Sequence, residues 1–120
     1  GEEIHINIDK TSFFSALLGV LENSVDACVT LKKKRKKGHI NFVVKQTETG
    51  TVFTIKDNGK GLSKKQLDMI FSLFYSDKGS KGTGLGLFIA RKSIEQHNGT
   101  IKVTSKKDEF TQFTITLPIS

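Results

Sequence analysis

The apolar residues of this chain change period along its length, and each period predicts an element. Phe14, Leu17, Leu21, Val25, Cys28 and Leu31 recur at intervals of three and four, which predicts an amphipathic helix from about Ser12 to Lys34 with these residues as its buried stripe. Asp9 or Thr11 is placed to cap it. Ahead of it, Ile4 to Ile8 alternate apolar and polar, the pattern of a short strand. Beyond it, His39 to Gln46 and Thr51 to Asp57 read as a hairpin around Thr47-Glu48-Thr49-Gly50. Phe53 and Ile55 share one face of the second strand, and period two puts Asp57 on that face too. A carboxylate aimed at the buried side is costly unless hydrogen-bonded, so Asp57 is expected to have a dedicated donor.

Ser63 with Gln66 forms a capping-box signature, followed by the helical apolar set Leu67, Ile70, Phe71 and Phe74. A last helix, about Leu85 to Gln96, turns Leu87, Ala90 and Ile94 inward and stops at Asn98-Gly99. Thr100 to Ser105 and Glu109 to Pro118 close the chain as a hairpin around Lys106-Lys107-Asp108, with Phe113, Ile115 and Leu117 on the core side. This order predicts an α+β two-layer sandwich, a mixed sheet with helices on one face, in one domain spanning residues 1–120.

Charge changes this picture little. The formal net charge is +7, but six basic residues form one run, Lys32 to Lys37; without it 13 basic residues face 12 acidic ones. The basicity is local, so no nucleic-acid partner is expected. The run reads as a solvated helix end, where cations suit the negative dipole end and Gly38 stops the helix. An acidic partner or a membrane surface is the alternative. Cys28 has no second cysteine to pair with and reads as a small core residue. His5, His39 and His97 are too scattered for a metal site. With no apolar run long enough to span a bilayer and no signal-peptide character at Gly1-Glu2-Glu3, a cytoplasmic domain is expected, cut from an intact protein that is itself either soluble or membrane-anchored.

Chemistry concentrates in three places. The face of the first helix opposite its expected stripe is built of Ala16, Gly19, Asn23, Asp26, Ala27 and Thr30, small residues around a carboxamide and a carboxylate. Gly19 in mid-helix costs about 1 kcal/mol relative to Ala, so another group is expected to approach closely there. Asp57-Asn58-Gly59-Lys60-Gly61 has glycines at alternate positions, which permit positive φ and let a flat ligand approach the backbone. Lys81-Gly82-Thr83-Gly84-Leu85-Gly86-Leu87 runs into the last helix, and successive amides with a helix N-terminus make an anion seat. Its G-x-G-x-G spacing fits neither a dinucleotide fingerprint nor a P-loop. Ser76 to Lys81, without an aliphatic or aromatic residue, is expected to form a mobile lid.

These segments together resemble the ATP-binding catalytic domain of bacterial sensor histidine protein kinases, within the superfamily that includes gyrase, MutL and heat-shock chaperone ATPases. Leu21-Glu22-Asn23-Ser24-Val25-Asp26-Ala27 is similar to that family's asparagine box, and Asp57 to Gly61 to its first glycine box. Phe71-Ser72-Leu73-Phe74 resembles its phenylalanine box, and Gly82 to Leu87 its second glycine box. Each motif is weak alone, but four in family order are specific.

The resemblance implies a Bergerat-type ATP-binding fold with ATP and Mg²⁺ as cofactors. By analogy Asp57 accepts the adenine amine, Asn23 gives its side-chain oxygen to Mg²⁺, and Gly59 and Gly61 let the base lie against the chain. The rest of the implied nucleotide site is Asp26, Ala27, Leu62 and Phe74, with Gly82, Thr83, Gly84, Leu85, Gly86 and Leu87 on the triphosphate and Lys78 or Lys81 reaching a phosphate. No catalytic residue is assigned, with Glu22 and Lys78 as candidates.

Three departures from the family pattern bear on function. Gly19 stands where many relatives carry a second asparagine or, in the ATPase branches, a catalytic glutamate, which argues against a self-contained ATPase. Asp26 replaces a lysine found in many of the kinases. None of the three histidines has the acidic sequel of a phosphoacceptor. The implied partners are therefore upstream dimerisation helices bearing that histidine and, in the intact system, a response regulator. A stand-alone anti-sigma-type serine/threonine kinase and a nucleotide-gated interaction module without phosphoryl transfer are the alternative readings.

Overall fold

The computed structural model describes residues 10–33, 37–72 and 86–118. The expected strand Ile4–Ile8, the Asp9 cap, the lid Ser76–Lys81 and the glycine loop up to Leu85 lie outside the described residues.

The element order is α1 (Lys10–Lys33), β1 (Ile40–Thr47), β2 (Gly50–Asp57), α2 (Lys64–Met69), α3 (Gly86–Gln96), β3 (Thr100–Lys106) and β4 (Phe110–Pro118). The strands form one sheet in the order β1-β2-β4-β3. A mixture of strand directions is expected from the sequence, but the three described pairings are all antiparallel. The cause is the position of β4. The chain leaves β2, passes through α2 and α3 and returns as β3 running the same way as β2; β4 then inserts between the two and runs against both.

Both hairpins form at their predicted turns. In the first, Thr47 Oγ1 accepts the Gly50 N–H at 3.1 Å and donates to the Gly50 carbonyl at 3.0 Å. The second turns at Asp108, which takes the left-handed conformation at φ 66°. The core side of the sheet is the predicted one: Ile55, Phe113, Ile115 and Leu117 are fully buried, and Phe53 nearly so. Each contributes about 1.5–3 kcal/mol by leaving water. Ala90 and Ile94 of α3 complete this core, with Leu87 partly buried beside it. Helix α3 ends in a Schellman arrangement in which Asn98, not Gly99, takes the left-handed position at φ 62°, and Gly99 N–H closes on the Ile94 carbonyl at 2.9 Å.

Helix α1 corrects the sequence reading. Its buried residues are Phe13, Ala16, Val20, Ser24 and Ala27, whereas Phe14 is 71% exposed and Val25 52%. Leu17 and Leu21 are only partly buried. The small-residue face expected to stand opposite the core lies largely against protein, because backbone-to-backbone approach requires small side chains. A Cβ on Gly19 would lie 3.3 Å from the Gly86 carbonyl oxygen at the start of α3. Thr11 lies inside the helix and so is not its cap, and Gly38 packs against Cys28.

Candidate functional site

Three elements meet around an open cleft of about 330 Å³ lined by Asn23, Asp26 and Ala27 of α1, Lys60, Gly61 and Leu62 after β2, and Thr111 of β4. Asp57 adjoins it through its neighbour Thr111. As the last residue of β2 it points to the core side, is 1% exposed and pairs in register with Thr111. Its expected donor is the backbone of Gly59, whose N–H reaches Asp57 Oδ1 at 2.8 Å. The other oxygen, Oδ2, is buried without a hydrogen-bond partner among the described residues, as is the hydroxyl of Ser24 on α1. Burial pushes the Asp57 carboxyl above its ordinary value. The Gly59 N–H opposes this, and the Ser24 hydroxyl is close enough to do the same, although the pair stops short of hydrogen-bonding geometry.

The loop after Asp57 is clamped from both sides. A Cβ on Gly59 would fall 2.7 Å from the Ala27 carbonyl oxygen, and one on Gly61, at φ +67°, would fall onto the Lys106 carbonyl oxygen. These two glycines are required by packing against α1 and the β3–β4 turn. A ligand's approach, the reason expected from sequence, is not needed to explain them. Backbone bonds fix the same loop: Lys60 N–H to the Ala27 carbonyl at 3.3 Å, and Asp108 N–H to the Lys60 carbonyl at 2.7 Å. Leu62 N–H reaches Ser105 Oγ at 2.8 Å, and Ser105 Oγ lies 2.9 Å from Thr111 Oγ1.

Asn58 faces away from this cleft chemistry. Its side chain accepts the His39 N–H at 2.6 Å and donates to the Lys37 carbonyl at 2.9 Å, tying the start of β1 to the loop. Cys28 lies beside it, its thiol pushed up first by burial and then by the Asp57 charge, which makes it an inert packing residue.

Of the sequence-predicted site residues, Asn23, Asp26, Ala27, Gly61 and Leu62 line the cleft, while Asp57 and Gly59 adjoin it, Asp57 in register with lining residue Thr111 and Gly59 packed against lining residue Ala27. Gly86 and Leu87 open α3 next to Gly19 of α1, on the same side of α1 as Asn23. Glu22 is exposed on α1 and does not line the cleft. Phe74, Lys78, Lys81, Gly82, Thr83, Gly84 and Leu85 lie outside the described residues. Phe71, from the same segment as Phe74, packs edge-on to core Phe113 at 6.3 Å and lies under the Arg91 guanidinium at 5.5 Å. Ser24, Lys60 and Thr111 were not singled out from sequence. Ser24 and Thr111 are single polar residues within apolar patterns, and only the pairing of β2 with β4 and the packing of α1 reveal them.

Among the described residues no group of three or more His, Cys, Asp or Glu side chains could hold a metal ion. The donor set at the cleft, the Asn23 carboxamide with the exposed Asp26 carboxylate nearby, suits a hard cation that takes few protein ligands and keeps its waters, which is the habit of Mg²⁺.

A buried carboxylate under a clamped glycine loop, a carboxamide-bearing helix face beside it and a glycine-led helix across from that face define a nucleotide-binding domain of the two-layer α+β class. The chain belongs to the histidine kinase-, DNA gyrase B- and HSP90-like ATPase family, whose model matches residues 8–120. It is 32% identical over 115 residues to the sensor histidine kinase ZraS of Escherichia coli and 34% identical over 118 residues to the sensor histidine kinase YvrG of Bacillus subtilis. The matches cover 96% and 95% of this chain but 23% and 19% of those proteins, so the chain spans about a quarter or less of their length. The catalytic domain of the histidine kinase ThkA, solved in a nucleotide-free form, superposes with a TM-score of 0.80 at 25% identity over 99% of this chain and 75% of that one. The α+β fold and the resemblance to histidine-kinase catalytic domains are thereby established.

Proposed function

We propose that this chain binds ATP with Mg²⁺ and donates the γ-phosphoryl group to a histidine on dimerisation helices outside this sequence, as the catalytic domain of a two-component sensor kinase. One observation carries the reading: Asp57 is buried at the end of β2 with one oxygen held by Gly59 N–H and the other without a partner among the described residues, in register with Thr111 of the cleft bearing Asn23. A carboxylate has no donor of its own, so the matching ligand group is a donor such as the adenine exocyclic amine. Asn23 would supply the one protein oxygen to the metal, which takes its other ligands from phosphates and water. When bound, the metal supplies charge neutralisation at the phosphates. The chain's own part is positioning, in which Gly59 N–H aims the carboxylate and the Gly19–Gly86 contact fixes the helix that carries Asn23 against α3. The names of the relatives support the phosphoryl-transfer step, and the response regulator is the expected final acceptor.

Calorimetric titration of the 120-residue chain with ATP, with and without Mg²⁺, tests the reading. Asp57→Asn is expected to lose ATP affinity at either condition, and Asn23→Ala to lose the enhancement given by Mg²⁺. Unchanged binding in both variants would overturn the site. Autophosphorylation requires the helices bearing the histidine, so transfer of γ-phosphate to such a segment added in trans tests the second half.

A further inference from the structure

Resting on the ATP reading, we propose that Ser24 is a positioning residue of the base site, its hydroxyl fixing the Asp57 carboxylate so that Oδ2 is presented to the purine amine. Asp57 has two oxygens in unequal positions. Oδ1 is committed to Gly59 N–H at 2.8 Å, while Oδ2 is buried with no partner among the described residues. Ser24, fully buried on α1, is close enough to act on this carboxyl, and its Oγ likewise has no partner among the described residues. Two such groups side by side in a closed corner are each costly alone, and each supplies what the other lacks: the hydroxyl is a donor and the carboxylate an acceptor.

The Ser24 hydroxyl acts on the charged form of Asp57 without making a hydrogen bond to it, so joining them requires a side chain to turn. Once joined, the carboxylate is held at both oxygens, by Gly59 N–H on one and the Ser24 hydroxyl on the other. Oδ2 keeps a lone pair for a ligand N–H. The favourable action of the Ser24 hydroxyl on the charged form of Asp57 agrees with this arrangement. A serine that merely filled space here would be equalled or bettered by alanine, which packs without burying a hydroxyl.

The test separates these roles by using two nucleotides that differ only in the amine. The chain and its Ser24→Ala variant are titrated with ATP and with purine riboside 5′-triphosphate, and both are melted without nucleotide. The expected result is that Ser24→Ala weakens ATP binding about tenfold, the effect of one charge-assisted hydrogen bond. Binding of the purine triphosphate stays unchanged, and the variant stays folded but melts below the parent at pH 7, because the buried carboxylate has lost a favourable donor. An equal loss for both nucleotides, unchanged ATP affinity, or a variant that melts at or above the parent temperature or fails to fold overturns the proposal. Asp57→Asn is titrated alongside. If it retains ATP affinity, the base assignment itself falls; if it loses ATP while Ser24→Ala does not, only the role of Ser24 falls.

Discussion

Gly19 in the middle of α1 meets Gly86, the first residue of α3, backbone to backbone: a Cβ on Gly19 would stand 3.3 Å from the Gly86 carbonyl oxygen. This contact holds the helix that carries Asn23 against the helix that opens where the second glycine box ends. It also explains a mid-helix glycine that otherwise costs about 1 kcal/mol relative to alanine. Gly19→Ala gains that propensity and needs α3 to give way by a few tenths of an ångström. We therefore expect its stability to urea to stay within about 1 kcal/mol of the parent, while ATP affinity falls because the shift is spent at the first turn of α3. Gly19→Val, with two more methyl groups at the contact, is expected to lose stability by about 1–3 kcal/mol as well. A Gly19→Ala variant that binds ATP normally would show that the contact does not reach the site.

Asp57 is expected to trade stability for binding. Burial raises the Asp57 carboxyl above its unfolded value, so the folded chain holds that proton more tightly than the unfolded one. Above the folded value the group is charged in both states and its burial costs stability. As pH falls through the folded value toward the unfolded value of 3.8, the cost disappears. Asp57→Asn keeps an oxygen for Gly59 N–H and removes the charge. It is therefore expected to melt above the parent at pH 7, with the difference shrinking as pH falls and vanishing below about 4, even though the variant loses ATP. Thermal melts across pH 4–8 check this, and a difference that grows on acidification would refute the assignment.

These relationships show which parts of the molecule could be read from its residues. The alternation of Phe53, Ile55 and Asp57, the Ser63–Gln66 capping box and both hairpins depend on neighbours in sequence, and each appears as expected. The buried face of α1 could not be read the same way. Periodicity picks out large apolar residues as the stripe, whereas the helix is held by residues small enough for backbone contact: Ala16 on the core, Gly19 at α3 and Ala27 at Gly59. Phe14 and Val25 are left outside. Ile40, Phe42 and Val44 share the core side of the sheet with Phe53 and Ile55 but belong to β1, an edge strand in the described sheet, and remain partly exposed. In the site, motif spacing found Asn23, Asp57 and the glycines, but Ser24 and Thr111 become meaningful only when α1 and β4 are brought to either side of Asp57.

The glycines of the two boxes are expected to divide by substitution. At Gly61 an alanine meets both a positive φ and the Lys106 carbonyl, and at Gly59 it meets the Ala27 backbone. The conformational term alone is about 1–2 kcal/mol at Gly61 and overpacking adds about 1–3 kcal/mol at either site. At Gly86 a Cβ has nothing described within 4 Å, and alanine improves helix propensity. Denaturant unfolding is expected to rank Gly61→Ala as least stable, then Gly59→Ala, with Gly86→Ala equal to the parent or better. Reduced ATP affinity in a fully stable Gly86→Ala would then mark that glycine as kept for ligand approach.

Helix α2 depends on its cap more than on its packing. It has six residues, none of them buried, and is held at its start by a reciprocal pair: Gln66 N–H to Ser63 Oγ at 3.2 Å and Ser63 N–H to Gln66 Oε1 at 2.9 Å. So short a helix has little propensity to form alone, and the next anchored residues are Ile70, 3% exposed, and Phe71 against Phe113. Ser63→Ala removes one bond of the box and is expected to cost about 1 kcal/mol, spent on α2 and not on the sheet. Hydrogen exchange should accelerate in Gln66 and Leu67, whose amides bond to Ser63, by about fivefold. The amides that join β2 to β4 are expected to keep their protection. Uniform acceleration across the sheet would mean instead that the cap supports the whole fold.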